Sequence, residues 1–229
     1  MTMSTPQKEI DGMIASVSRM GGVAESLVSD AIAAVVRRDT GLAQEVIAGD
    51  AVADAAHRDI ERQVTRFLAL RQPIATDLRQ ALAALKISAE LERVGDLAKN
   101  IAKRTLALNL AEPIAITRGI ERMGRNACAQ LKQVLDAYSA GDVTRAVAVW
   151  VQDEDIDAHY NSLFRELLTY MMEDPRTISS CAHLLFVAKN VERIGDHCTN
   201  IAETIHYLVT GAEIENERPK GDDPAAEDN

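Results

Sequence analysis

Residues 91–102 read LERVGDLAKNIA and residues 191–202 read VERIGDHCTNIA, so the pattern E-R-x-G-D-x-x-x-N-I-A is written twice at an offset of 100. Around the first copy, apolar side chains recur at Ile87, Leu91, Val94, Ala98 and Ile101, spacings that belong to a helix and not to a strand. Inside that helix the pattern keeps a glycine, which costs about 1 kcal/mol relative to alanine. It also keeps a Glu and an Asp one turn apart, where like charges repel. Two unfavourable choices repeated at matching positions point to a use for them.

Working outward, the helix period runs through most of the chain. Pro6, Pro73, Pro113, Pro175, Pro219 and Pro224 stand outside the strongly periodic segments, where proline is tolerated at helix starts and in connections. Asp39 and the pair Gly141-Asp142 mark two more breaks, since Asp caps helix starts and Gly ends helices. Six helices are predicted, near 7–38, 40–70, 75–108, 114–139, 142–172 and 177–209. The duplication also extends beyond the opening stretch. At an offset of 103, Met20-Gly21 meets Met123-Gly124, Asp39 meets Asp142, Asp50 meets Asp153 and Asp54 meets Asp157. Past the loops holding Pro73 and Pro175 the offset becomes 100. The fold class is therefore all-α: two tandem homologous antiparallel three-helix bundles, joined by short connections, over 1–110 and 111–211. Residues 212–229 hold seven acidic and two basic residues and too few apolar ones to offset ordering. An acidic disordered tail is expected there.

On a helix, residues four apart share a face, so Glu92, Asp96 and Asn100 form a row and Glu192, Asp196 and Asn200 form its copy. The second helix of each unit carries the same spacing as Asp50 with Asp54 and as Asp153 with Asp157. The rows point away from the stripe of Ile87, Leu91, Val94, Ala98 and Ile101, and are expected on the outer surface of each unit. There they are either a solvated face or, where neighbouring helices bring them together, two sites for multivalent metal. Carboxylate and amide oxygens suit hard cations, and iron, manganese, magnesium and zinc are the candidates. Arg93 and Arg193, one residue along, can offset the charge only in part. Gly95 and Gly195 imply close approach by a neighbouring helix or by a bound group. His57 and His159 lie within about a turn of the Asp pairs, but neither makes the Glu-x-x-His pairing of di-iron bundles; both read as polar residues at a helix edge.

Other classes fall away on composition. The net charge is −10, with no clustered basic face for nucleic acid. Three Phe, four Tyr and one Trp leave little for base stacking. Cys128, Cys181 and Cys198 form no C-x-x-C pair and read as reduced, mostly buried thiols. No phosphate-binding loop, nucleophile elbow or H-E-x-x-H motif occurs, so no enzyme is expected. Neither a signal peptide nor a membrane-length apolar run is present, which predicts a cytoplasmic protein.

The motifs RQPIATDLR at 71–79, ERVGD at 92–96, YMMEDPRTI at 170–178 and ERIGDHCTNIAE at 192–203 together resemble the PhoU family of phosphate-uptake regulators, in order and in both halves, from about residue 8 to residue 211. That resemblance implies a cytoplasmic regulator of two three-helix bundles, with metal clusters on the pairs Asp50–Asp54, Glu92–Asp96, Asp153–Asp157 and Glu192–Asp196. It implies a homodimer that restrains the phosphate ABC transporter, through its ATPase subunit, and a phosphate-sensing histidine kinase. Two departures stand out: Asn190 occupies the place of Glu90, and the acidic tail lies outside the resemblance. A metal-storage or metal-dependent oxidase bundle is the alternative, distinguished by ligands inside the bundle core.

Overall fold

In a computed structural model that describes residues 5–113 and 117–214, every long apolar-periodic segment is helical. The helices are α1 (Thr5–Arg37), α2 (Thr40–Arg71), α3 (Ala75–Leu108), α4 (Thr117–Ala140), α5 (Val143–Val151), α6 (Asp153–Glu173) and α7 (Ile178–Thr210). A single 3-10 turn, Pro175–Thr177, precedes α7. The predicted tail falls largely outside the described residues.

The breaks follow from their residues. Asp39 caps α2 by accepting a hydrogen bond from the Leu42 amide, and its copy Asp142 caps α5 through the Arg145 amide. The residue before each cap is left-handed. Gly141 has φ 64°, which glycine takes without strain, but its copy Arg38 has φ 55°. Arg38 is held there by its guanidinium, which donates to the carbonyls of Leu108 at 2.9 Å and Ala111 at 2.6 Å and so ties the start of α2 to the end of α3.

The expectation of one continuous helix over 142–172 is corrected, for the chain breaks at Gln152 into α5 and α6. The Asp155 amide bonds to the Gln152 carbonyl at 3.2 Å, one residue tighter than in an α-helix. The new start carries Asp153, Glu154 and Asp155 in its first turn, where the helix dipole favours negative charge.

Helices α1–α3 form one antiparallel bundle and α4 to α7 the other. Ile87, Leu91, Val94, Ala98 and Ile101 are fully buried, as their period predicts. The bundles meet along α1 against α4 and along α3 against α7. At the first of these seams a Cβ added to Gly21 would lie 2.7 Å from Leu135, and one added to Gly124 would lie 2.7 Å from Ile32. Ile32 and Leu135 are themselves copies, so each unit inserts the same knob into the other's glycine notch. Reciprocal contact of this kind is the mark of a two-fold relation.

Candidate metal centre

Of the acids on adjacent helices, Asp50 of α2 and Asp96 of α3 share one lysine, and two of the row acids lie at a buried seam and not on the outer surface. Asp50 is 3% exposed and Asp153 is 2% exposed. The reason is geometric: α3 is packed on α1, α2 and α7 at once, so a row turned away from one neighbour meets another. Gly95 and Gly195 make the approach possible. A Cβ on Gly95 would stand 3.3 Å from Ala53 Cβ and 3.5 Å from Asp50 Oδ1; one on Gly195 would stand 2.9 Å from Asp153 Oδ1 and 3.1 Å from Ile156 Cδ1. The glycines of the repeated motif thus make room for the buried carboxylates.

In the first unit the charge of that carboxylate is met by Lys99. Its Nζ donates to Asp50 Oδ2 at 2.5 Å and lies 3.6 Å from Asp96 Oδ1, bridging α2 and α3. The Asp50 hydrogen bond holds the Lys99 ammonium above the usual lysine range, against the opposing effect of burial. Asp50 Oδ1 stays buried without a hydrogen bond. Glu92 has only a loose contact of 3.5 Å to Arg93, the partial compensation expected of that arginine. Asp54 lies one turn beyond Asp50, half-buried.

The second unit is built differently. Thr199 replaces Lys99 and donates its hydroxyl to the Asp196 carbonyl. Gln130 replaces Leu27: its amide donates to the Gln152 carbonyl at 3.0 Å, while its buried Oε1 has no hydrogen-bond partner and lies 3.6 Å from where a Gly195 Cβ would be. Glu192 accepts from Lys189 at 2.7 Å through Oε1, and its Oε2 is buried without a hydrogen bond. Burial pushes the Glu192 carboxyl up, and the neighbouring charges of Asp196 and Asp157 add to the push, outweighing Lys189. Asp157 of α6 and Asp196 of α7 are therefore electrostatic neighbours of Glu192. Asp153, the first residue of α6, has its charge at a favourable helix end.

Not every expected ligand joins these rows. Asn200 turns its amide to the other unit, donating to Glu90 Oε2 at 3.1 Å beside His197, which donates to the same oxygen at 2.6 Å. Asn100 is exposed beside Lys103, Arg104, Phe186 and Asn190. Both asparagines belong to the α3–α7 seam. His57 of α2 pairs with the buried Ser88 of α3, a contact between two helices, and His159 pairs with the Asp155 carbonyl one turn back on its own helix. The three cysteines are free, Cys181 and Cys198 being buried. Among the described residues, no three His, Cys, Asp or Glu side chains are placed to share one ion without moving. The donors present are nevertheless the oxygens that hard cations take, and in the second row Gln130 Oε1 and Glu192 Oε2 are buried donors that still lack a hydrogen bond. Lys99 and Gln130 are the two residues that reading one copy at a time misses; each shows itself only as a mismatch between copies, Lys against Thr and Gln against Leu.

Comparison with known proteins agrees with this architecture. The PhoU domain family matches the chain twice, over residues 17–105 and 120–205, once in each bundle. A phosphate-specific transport system accessory protein PhoU homolog from Caulobacter vibrioides is 59% identical, with 96% of each chain covered. The corresponding Escherichia coli protein is 39% identical, covering 90% of this chain and 86% of its own. Among solved structures, PhoU from Pseudomonas aeruginosa superposes with a TM-score of 0.87 at 37% identity, covering 90% of this chain and 99% of that one. Among the described residues, no helix is long and apolar enough to cross a membrane.

Proposed function

The chain belongs to the PhoU family, and from that premise we propose that it is a cytoplasmic accessory protein of a phosphate transport system that negatively regulates phosphate uptake and phosphate-starvation signalling. The observation that carries the reading is the match over both bundles to relatives named as accessory proteins of phosphate-specific transport. Its partners are the ATPase subunit of the phosphate ABC transporter and a phosphate-sensing histidine kinase, and it acts as a homodimer. No chemical step is assigned to it; its work is binding.

The same reading gives the acidic rows a metal-binding role, with multivalent cations taken up as the half-buried Asp and Glu side chains rotate to share an ion. A storage or oxidase bundle is not favoured, because neither His57 nor His159, the histidines nearest the Asp pairs, makes the Glu-x-x-His pairing of di-iron bundles. The regulatory reading is tested by deleting the gene and measuring phosphate uptake and starvation-responsive transcription in phosphate-rich medium. Both should stay high, and return to repressed levels when the gene is restored. Normal repression in a deletion strain with no second copy of the family would sink the proposal.

A further inference from the structure

We propose that the groove along the α3–α7 seam is a docking surface for the acidic end of this same chain, residues 215–229, whose Asp222 and Asp223 pair with Lys103 and Arg104. The PhoU domain match ends at residue 205, so neither this segment nor its contact belongs to the function proposed above.

The two ends of the seam are copies, and their charges are opposite. One end gathers Lys86 and Glu90 of α3 with Asn200, Glu203 and Thr204 of α7. At the offset of 100 the other end gathers Phe186 and Asn190 with Asn100, Lys103 and Arg104. The acids of the first end are answered within the chain: Glu90 by His197 and Asn200, and Glu203 by the Trp150 indole N–H at 2.9 Å. The cations of the second end are not. Among the described residues, neither Lys103 nor Arg104 has an ion pair with an acid; Arg104 lies 4.4 Å over the ring of Phe186, which is itself 53% exposed. In a chain of net charge −10, two unanswered cations beside an exposed ring fit an acidic segment.

The described chain already turns towards that surface. Helix α7 ends at Gly211, whose φ of 76° reverses the backbone. Beyond the turn, His206 and Thr210 donate to the Ala212 carbonyl at 3.0 and 3.1 Å. Ile214 then packs on the core and lines the same groove as Asn200 and Thr204. The chain has therefore doubled back over α7, and the residues after Ile214 begin inside the groove. From Thr204 to the Phe186–Asn190 turn, 14 to 18 residues of α7, the helix rises about 21 to 27 Å. An extended chain covers that span in about eight residues, at about 3.3 Å each. Asp222 and Asp223 stand eight and nine residues beyond Ile214. Residues 215–229 hold six acidic side chains against two basic ones, a charge opposite to that of the far end.

The test follows the amide signals of Gly221 and Ala225 by nuclear magnetic resonance in the full chain, with a synthetic peptide of residues 212–229 as the unbound reference. In wild type the two signals should differ from those of the peptide. They should move onto the peptide positions in Lys103→Glu/Arg104→Glu, and also in wild type at about 1 M salt, where the screening length falls to about 3 Å. Lys103→Gln/Arg104→Gln carries the test if charge reversal disturbs folding, which circular dichroism reports. Adding Asp222→Lys/Asp223→Lys to the reversed chain should displace the signals again. Carbodiimide joins a lysine amine to a carboxylate with loss of water. Applied to a mixture of isotope-labelled and unlabelled protein, it should link Lys103 to Asp222 or Asp223 within one chain. Wild-type signals that coincide with the peptide would overturn the proposal, as would displaced signals that ignore both Lys103/Arg104 variants. Links found only between labelled and unlabelled chains would assign the groove to a second copy and overturn it too.

Discussion

Gly195 leaves less room than Gly95, and the difference sets the direction of a simple substitution. An alanine Cβ at 195 would meet Asp153 Oδ1 at 2.9 Å and Ile156 Cδ1 at 3.1 Å, whereas at 95 the nearest atom is Ala53 Cβ at 3.3 Å. Replacing a helical glycine by alanine gains about 1 kcal/mol of propensity, while overpacking a filled site costs about 1 to 3 kcal/mol. Gly95→Ala should therefore be close to neutral, and Gly195→Ala should lower the midpoint of thermal unfolding measured by circular dichroism. Equal stabilisation by both would show that Asp153 is not held against α7. The repeated glycines were legible in the sequence as points of close approach, because nothing else explains a matched helix breaker in an otherwise strong pattern. Which group approaches was not legible, since a neighbouring helix and a bound group leave the same trace in a single strand of letters. Lys99 was hidden for another reason: three residues after Asp96 it reads as an ordinary surface ion pair, and only the distance to Asp50 reveals that it spans two helices.

At the scale of helices, the notches at Gly21 and Gly124 fix how closely α1 and α4 lie. The atoms facing Gly21 are mainly the Leu135 methyls, at 2.7 and 2.8 Å, which can swing away by rotation. Those facing Gly124 are Ile32 Cγ1, Cγ2 and Cδ1, at 2.7, 2.7 and 2.8 Å, and a β-branched side chain in a helix is confined to one χ1 well. Gly124→Ala should consequently destabilise the protein by about 1 to 3 kcal/mol, and Gly21→Ala by clearly less, in urea unfolding monitored by helicity. Identical shifts in the two midpoints would mean that the helices slide apart as rigid bodies and that the shape of the knob is irrelevant. The period of three and four gave helix positions to within a few residues for α1, α2, α3 and α7, because each is ended by a proline, an Asp cap or a glycine. The break at Gln152 lacked all three signals. Its one sign was the run Asp153-Glu154-Asp155, three acids that suit the start of a helix better than its middle, and the expectation of a single second helix in each copy concealed it.

For the molecule as a whole, the duplication was readable from matched residues, but the docking of one bundle on the other was not, since an apolar stripe does not declare its partner. The polar clasp at the α3–α7 seam shows how that docking is made specific. Glu90 of α3 receives hydrogen bonds from His197 and Asn200 of α7, and the two-fold copy of Glu90 is Asn190, which instead bonds to the Phe186 carbonyl of its own helix. One clasp is thus ionic and its counterpart is not, so a single acid reports on the seam. Burial alone would push the Glu90 carboxyl up, but the hydrogen bonds from His197 and Asn200 prevail and hold it below the ordinary 4.5. A carboxyl bound more weakly to its proton in the folded state than in the unfolded state contributes stability that is fully present above the ordinary value. That contribution is lost as pH falls through the lowered one. Glu90→Gln removes the charge and should be less stable than wild type near neutral pH, with the gap in melting temperature closing as the pH is taken below 4.5. Paired melts across that range decide the matter: a gap that persists undiminished in acid would show that the glutamine costs stability by its packing, and that the ionic clasp is not what aligns the two bundles.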